Sequence, residues 1–222
     1  MSNYKLLIIM RQKFVLLFLV MGSTLFCSCY KDEIAYSCNE SVNFWVKENL
    51  ETIHSMKTTD WNYLEDSLKI AVYRAFTPQQ RIDFWHNRFK EVKAMKWTPE
   101  EILHIEKAES FLENHLHFLS KKRLSGDELD ELDLFGYDWI TEGIELYGWT
   151  SQTGNLIIGT GFTIKNESKD QVPLQKCHCH ADNIIFHTCW ADSRGCFKEK
   201  CDQNTTMGCG FFLMEDCDGI CL

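Results

Sequence analysis

Eight cysteines crowd the last part of this 222-residue chain, and they constrain the fold more than any other feature. They are Cys177, Cys179, Cys189, Cys196, Cys201, Cys209, Cys217 and Cys221. So short a segment buries too little apolar surface to stay folded by packing alone, so crosslinks must supply its stability. We therefore predict a disulfide-rich module over residues 177–222, with four disulfides whose pairing the sequence leaves open. Cys38 lies far outside this set, and we expect it to be a free thiol; a bridge to the helical body is the alternative, for which that region offers no partner cysteine.

Disulfides persist in oxidising compartments, and the N-terminus carries a matching export signal. Residues 1–28 resemble a bacterial secretory leader, with a basic start followed by an apolar run and then small residues. The apolar run is too short to predict a membrane span. Cleavage after Ser28 would leave Cys29 to receive a lipid, as in lipoproteins. Cys27 is the rival acceptor, but bulky Phe26 precedes it; cleavage without lipidation and an uncleaved anchor stay open as well.

Residues 29–38 are predicted to be a tether. The charged stretch Tyr30–Glu33 is similar to surface-export tags of Gram-negative lipoproteins, and the alternative is a plain solvated linker. We thus expect an outer-membrane lipoprotein at the cell surface, with the lipid bilayer as a partner through its acyl anchor. The net charge is −9. Because phosphate binding needs a basic surface, nucleic acid is excluded as a partner.

Residues 39–148 show the apolar spacing of amphipathic helices. The sequence predicts a first helix over the stripe from Val42 to Met56 and a second one capped by Asp60 that stops at Phe76. A fifth helix should begin near Ser125, and Gly136 would break it in two. We therefore predict a mainly α protein, in which an antiparallel helical body precedes the small disulfide-rich module with a little β structure.

Two further helix starts repeat the same pattern. In Thr77-Pro78-x-Gln80 and Thr98-Pro99-x-Glu101, threonine is the N-cap and proline takes the first helical position. The glutamine or glutamate three residues on completes a capping box. This pattern predicts the starts of the third and fourth helices.

Beyond Gly148 the composition changes. Residues 154–164 read as a strand bounded by turn residues, and a polar stretch follows up to Lys176. We assign 149–176 as strand and connector. The module then begins at Cys177.

Chemistry-bearing residues are few. The run Cys177-His178-Cys179-His180 offers thiolate and imidazole ligands for zinc or copper, but its spacing matches no common zinc module. In the helices, Asp83/His86 and Glu101/His104 place a carboxylate and an imidazole one turn apart, as in di-metal bundles, although solvated helix flanks explain them more simply. The chain carries no nucleophile motif, phosphate loop or dinucleotide fingerprint. We therefore expect no enzyme activity and no cofactor.

The C-terminal run resembles the fulvocin C-related bacteriocin family, through Gly208-Cys209-Gly210-Phe211-Phe212 and the terminal Cys217-Asp218-Gly219-Ile220-Cys221. The helical part is similar through Trp45-Val46-Lys47-Glu48-Asn49-Leu50 and the two Thr-Pro helix starts. The resemblance covers most of the chain beyond the leader. It implies a secreted antibacterial peptide made rigid by four disulfides. We therefore expect the module to be the effector, with the helical body as a carrier that holds it at the envelope until release or contact.

The net charge and the apolar residues of the module narrow the expected mode of antibacterial action. The module has three basic and seven acidic residues, a balance of 3 − 7 = −4, which is the wrong sign for a membrane-disrupting peptide. Killing would therefore need a receptor on a competing cell. The apolar run Phe211-Phe212-Leu213-Met214 is our predicted target contact; one buried strand is the alternative. A surface binding or adhesion lipoprotein without killing activity is the second interpretation, and metal capture by the Cys/His run is the third.

Overall fold

Helices dominate the computed structural model, which describes residues 34–159, 196–198, 207–217 and 219–221. Near the C-terminus it has short antiparallel strand pairs and a Cys209–Cys217 disulfide. This confirms the predicted fold class, a mainly α protein that ends in a disulfide-containing region with a little β structure. The described residues belong to one compact unit, Ile34–Leu222.

The predicted first helix is present as two. Helix α1 spans Glu40–Glu48 and α2 spans Leu50–Ser55, with the break at Asn49. The Asn39 side chain caps α1, because its Oδ1 accepts hydrogen bonds from the backbone N–H groups of Ser41 and Val42 at 3.0 and 3.2 Å.

The second helix does not start at Asp60, as the apolar pattern suggests. Residues Thr58–Tyr63 form a 3₁₀ turn, and α3 follows over Asp66–Ala75. Asp60 accepts a hydrogen bond from the Lys57 N–H at 3.2 Å and so closes that turn. Helix α3 ends directly before Phe76, which confirms the predicted stop.

Both Thr-Pro helix starts are confirmed. Helix α4 spans Pro78–Lys93 and α5 spans Pro99–Asn114. Thr98 Oγ1 accepts from the Glu101 N–H at 3.2 Å, while Glu101 Oε2 accepts from the Thr98 N–H at 2.8 Å. The corresponding pair at the start of α4 has the same reciprocal bonds at 3.2 and 3.0 Å. These boxes satisfy backbone donors that the first helical turn leaves unpaired.

A second 3₁₀ turn, Leu116–Ser120, leads to α6, which spans Gly126–Tyr147. The predicted break at Gly136 is wrong, because α6 runs through it without interruption. Gly148, at φ 67°, ends the helix in the left-handed conformation that glycine favours.

Helix α7, Ser151–Ile158, replaces the first part of the predicted strand 154–164. Thr150 starts this helix by accepting a hydrogen bond from the Thr153 N–H at 3.3 Å. Ile157 and Ile158 are both fully buried against the core. The apolar run is therefore the inner face of a short helix; residues 160–164 and the predicted connector up to Lys176 lie outside the described residues.

Two antiparallel strand pairs are described near the C-terminus. Strand β1, Cys196–Lys198, pairs with β4, Gly219–Cys221, so that the backbones of Cys196 and Cys221 lie opposite each other. Strand β2, Met207–Cys209, pairs with β3, Glu215–Asp216, with a bulge between Met207 and Cys209.

The core is aromatic and includes residues from both ends of the described chain. Its largest fully buried side chains in the helices are Trp61, Trp85, Tyr73, Phe89 and Phe118, and Phe211 and Phe212 belong to the same cluster. The predicted helical domain and the C-terminal cysteine-rich residues thus share one core.

Candidate functional site in the C-terminal segment

The residues Met207–Cys217, which we call the C-terminal segment, form a tight loop. A disulfide joins Cys209 to Cys217 with their Cα atoms 5.2 Å apart. Between them lies a 3₁₀ turn, Phe211–Leu213, in which Phe212 and Leu213 adopt φ values of 51° and 55°. Non-glycine residues rarely adopt positive φ, which costs on the order of 1 kcal/mol each unless surrounding contacts hold it.

A buried carboxylate holds this loop from inside. Glu215 is 2% exposed, and its Oε1 accepts a hydrogen bond from the Phe211 N–H at 2.8 Å. Gly210, at φ 64°, lies against the same carboxylate, and a Cβ atom there would be 1.9 Å from Glu215 Cδ. Glycine at this position therefore satisfies both the backbone conformation and the close approach.

The four residues predicted to contact a target are buried. Phe211, Phe212, Leu213 and Met214 are all at most 2% exposed and belong to the helical core. The Phe212 ring meets Trp85 edge-on, with centroids 5.2 Å apart. The prediction that these residues form an exposed contact is therefore wrong for the folded chain, in which the C-terminal segment is packed into the core. The alternative of a buried segment is correct, although the residues form a turn instead of a strand.

Buried polar side chains from the helices hold the same segment. Arg74 Nε donates to the Met207 carbonyl at 2.9 Å, and the Tyr73 hydroxyl donates to the Phe212 carbonyl at 3.3 Å. Arg81 Nη1 contacts Met207 Sδ at 3.5 Å. We call Tyr73, Arg74 and Arg81 the docking network.

Burial dominates the electrostatics of the docking network. It raises the pKa of Tyr73 to about 12, although the nearby Arg81 guanidinium opposes this shift. It also lowers the pKa of Arg81 below its usual value. Arg81 donates to the carbonyls of Leu119, Lys121 and Arg74, so its charge is placed among backbone dipoles. The network is suited to fixing backbone carbonyls in place.

Cys38 departs from its predicted state. It is disulfide-bonded, so the expectation of a free thiol is wrong. Cys38 also packs against Cys209 and Cys217. Since those two cysteines bond to each other, the partner of Cys38 is another cysteine of the chain.

The helical carboxylate–imidazole pairs do not assemble a di-metal site. Among the residues that the structure describes, no group of three potential ligands surrounds a common point. His86 instead pairs with Glu113 at 2.7 Å, and Glu101 accepts from the Trp149 indole N–H at 2.7 Å. His104 is buried in an aromatic cluster, where its ring stacks on Trp139.

Several predicted site residues lie outside the described ranges. These are the lipidation candidates Cys27 and Cys29, the metal candidates Cys177, His178, Cys179 and His180, and the module cysteines Cys189 and Cys201. Only the backbone is described for Cys196 and Cys221. Within the described helices, none is long and apolar enough to cross a bilayer.

Sequence reasoning missed the docking network. Its signal was present, because Arg74 interrupts the otherwise apolar run Ile70–Phe76. A charged residue inside such a run is expected to be buried with partners. The run could not indicate that one partner of Arg74, the Met207 carbonyl, comes from the far end of the chain.

No family model matches the chain, and neither does any curated protein or solved structure.

Proposed function

We propose that this chain is an exported, lipid-anchored envelope protein that binds a partner through the surface of its intact folded unit and catalyses no reaction. The single observation that carries this proposal is the burial of Phe211–Met214 in the helical core. Because these residues hold the cysteine-rich end to the helices, the functional unit is the whole folded chain. A detached C-terminal peptide would lose this support.

The free energy gained by burying Phe211–Met214 also supports an intact functional unit. Burying one large apolar side chain contributes roughly 1.5–3 kcal/mol, so the four side chains of Phe211–Met214 together contribute on the order of 10 kcal/mol. Conformational entropy offsets much of this gross gain, but even a fraction of it is large beside the net stability of a typical domain, about 5–15 kcal/mol. Release of the C-terminal segment would therefore expose its apolar residues and open the core of the body that it leaves.

The disulfides support export. Cys209–Cys217 and the bonded Cys38 fit an oxidising compartment, which is where the leader 1–28 would deliver the chain. Lipidation at Cys29 would then hold the unit at the membrane, at the cell surface if the stretch Tyr30–Glu33 acts as an export tag. Labelling with a fatty-acid analogue tests the anchor: Cys29→Ser should abolish the label and Cys27→Ser should keep it.

Antibacterial activity is the second candidate, and the resemblance to fulvocin C-related bacteriocins favours it. In that case the intact chain is the effector, and a receptor sets a narrow spectrum, because the module charge of 3 − 7 = −4 opposes attraction to anionic membranes. Metal capture through Cys177-His178-Cys179-His180 ranks third, because the spacing of these residues matches no common zinc module.

One experiment separates the first two candidates. Purified full-length protein and the oxidised peptide 177–222 are each added to a panel of related strains, and retention on cells is measured together with growth. Retention of the full-length protein without growth inhibition supports the binding protein. Inhibition by the full-length protein supports the bacteriocin, and inhibition by the peptide alone would contradict an intact functional unit. Full-length Cys209→Ser/Cys217→Ser is the control for the disulfide.

A further inference from the structure

The first helix carries two neighbouring aromatic side chains that the core does not cover. Phe44 is 66% exposed and Trp45 is 38% exposed, whereas the next residue, Val46, is fully buried. Exposure of these apolar rings to water is unfavourable. Tryptophan is enriched at the boundary between lipid headgroups and acyl chains, and phenylalanine occurs on the apolar face of helices that lie in that boundary. We call Phe44 and Trp45 the aromatic pair.

The aromatic pair lies beside the point where the chain enters the folded unit. The Tyr36 N–H donates to Asn43 Oδ1 at 2.8 Å, and the Tyr36 carbonyl accepts from Arg74 Nη1 at 2.9 Å. Ala35, one residue earlier, is 4% exposed. The entering chain is therefore fixed to helix α1 at Asn43, the residue directly before Phe44.

Chain length then limits how far this point can be from a lipid anchor. Seven residues lead from Cys29 to Tyr36, and an extended chain covers at most about 3.6 Å per residue. Tyr36 therefore lies within roughly 25 Å of an acylated Cys29. Of the exposed apolar residues in the described part of the chain, the aromatic pair comes first after the anchor.

We propose that the aromatic pair inserts into the headgroup region of the bilayer that holds the acyl anchor, and so fixes how the folded unit stands on the membrane. This inference rests on the proposed lipid anchor at Cys29. Lipid chain and aromatic pair would act as two linked contacts, each raising the effective concentration of the other at the membrane.

The charged residues beside Phe44 indicate that the proposed membrane contact is apolar and not electrostatic. Glu40 and Glu48 lie four residues before and after Phe44 on the same face of helix α1, where Lys47 is the one basic residue, so the charge beside Phe44 is negative on balance. They oppose attraction to anionic headgroups. Insertion should therefore occur in zwitterionic lipid and change little with ionic strength, because screening acts on charge contacts.

The test uses the purified full-length lipoprotein in phosphatidylethanolamine vesicles, with or without brominated acyl chains that quench tryptophan fluorescence. Trp61, Trp85, Trp139 and Trp149 are buried. Trp97 and Trp190 are present in both wild type and Trp45→Phe, so the difference in quenching between the two proteins isolates Trp45. We expect quenching in the wild type to be at least about twofold greater than in Trp45→Phe. Phe44→Ser should reduce quenching of Trp45 by weakening insertion.

The matched control is Leu134→Ser/Tyr137→Ser, which removes a comparable exposed apolar pair from helix α6. The tryptophan fluorescence of this variant should be quenched to the same extent as that of the wild type. Thermal melts followed by circular dichroism establish whether each variant is folded. If Phe44→Ser does not fold, the comparison of wild type with the conservative Trp45→Phe variant tests the membrane contact alone.

Fatty-acid labelling of Cys29 is measured on the same samples. Labelled protein with equal quenching in wild type and Trp45→Phe would overturn the membrane contact and leave the anchor standing. Absence of label would overturn the anchor and, with it, the contact. Quenching that appears only with anionic lipid and disappears in salt would also overturn the apolar contact.

Discussion

The Phe211 ring rests directly on the backbone of helix α6 at Gly136. A Cβ atom at Gly136 would lie 2.2 Å from Phe211 Cζ, far inside van der Waals contact. Phe211 is 2% exposed, so its ring has little room to retreat. Glycine is therefore required at Gly136 by the docking of the C-terminal segment.

Gly136→Ala is predicted to destabilise the protein, by up to about 2 kcal/mol. Alanine improves helix propensity by about 1 kcal/mol, but overpacking a core contact costs roughly 1–3 kcal/mol or more. Urea denaturation followed by circular dichroism measures the free energy of unfolding. Gly126→Ala is the control, because nothing lies within 4 Å of its added Cβ, and it should be neutral or slightly stabilising. Equal effects of the two substitutions would contradict the contact.

This contact also explains where sequence reasoning succeeded and failed. The capping boxes at Thr77 and Thr98 were predicted correctly because every group they need lies within four residues. The sequence predicts a helix break at Gly136, because the actual reason for this glycine is a ring from a distant part of the chain. Local pattern carries no information about such a partner.

The prediction of a strand over residues 154–164 was wrong at its start for a related reason, since residues up to Ile158 are helical. A short apolar run such as Leu156–Ile158 has no decisive period, so a buried helix and a buried strand look alike in sequence. The cap at Thr150 favours the helix. Cys38 shows the same limit, since a cysteine far from a cluster in sequence gives no sign that it lies beside Cys209 in space.

Phe212→Ala is predicted to cost about 3–5 kcal/mol of stability, as expected for truncating a fully buried phenylalanine. Its ring packs against Trp85, so tryptophan fluorescence should report the change. We expect fluorescence and circular dichroism to give one common unfolding transition, because the segment and the helices share a core. Tyr63→Ala, at an 89% exposed position, is the control and should change stability little. A cost below about 1 kcal/mol for Phe212→Ala would show that the segment is not part of the core.

Cys38 is predicted to link the start of the folded unit covalently to its cysteine-rich end. In a mature chain with a lipidated Cys29, the remaining partners for Cys38 are Cys177, Cys179, Cys189, Cys196, Cys201 and Cys221. Such a bond would leave an odd number of module cysteines, so the four disulfides expected from the sequence within 177–222 could not all form.

Peptide mapping without reduction measures this link. A peptide containing Cys38 should be found joined to a peptide from residues 177–221, and reduction should separate them. Cys38→Ser should abolish the joined species while the Cys209–Cys217 peptide remains. Four disulfides confined to residues 177–221 would contradict the prediction.

His104 is buried, and its two ring nitrogens face different partners. Its Nε2 lies 2.8 Å from the Trp139 carbonyl, which can only accept, so Nε2 carries the proton. Neutral Nδ1 is then an acceptor, and it faces Glu142 Oε2 at 3.6 Å. Burial lowers the pKa of His104, against the opposing effects of the Trp139 hydrogen bond and the Glu142 charge.

The free energy of unfolding should therefore fall as the pH drops below about 6.5, the ordinary pKa of histidine. In that window unfolded His104 binds a proton that the folded form resists, so acid favours unfolding until the lowered folded pKa is reached. Glu142→Gln should extend this decline to lower pH, because it removes a charge that favours protonated His104. His104→Gln should flatten the decline, whereas His86→Gln, at an exposed site, should retain it. Urea denaturation across this pH range measures each slope. A decline of the same size in His104→Gln and wild type would show that another group carries the acid sensitivity.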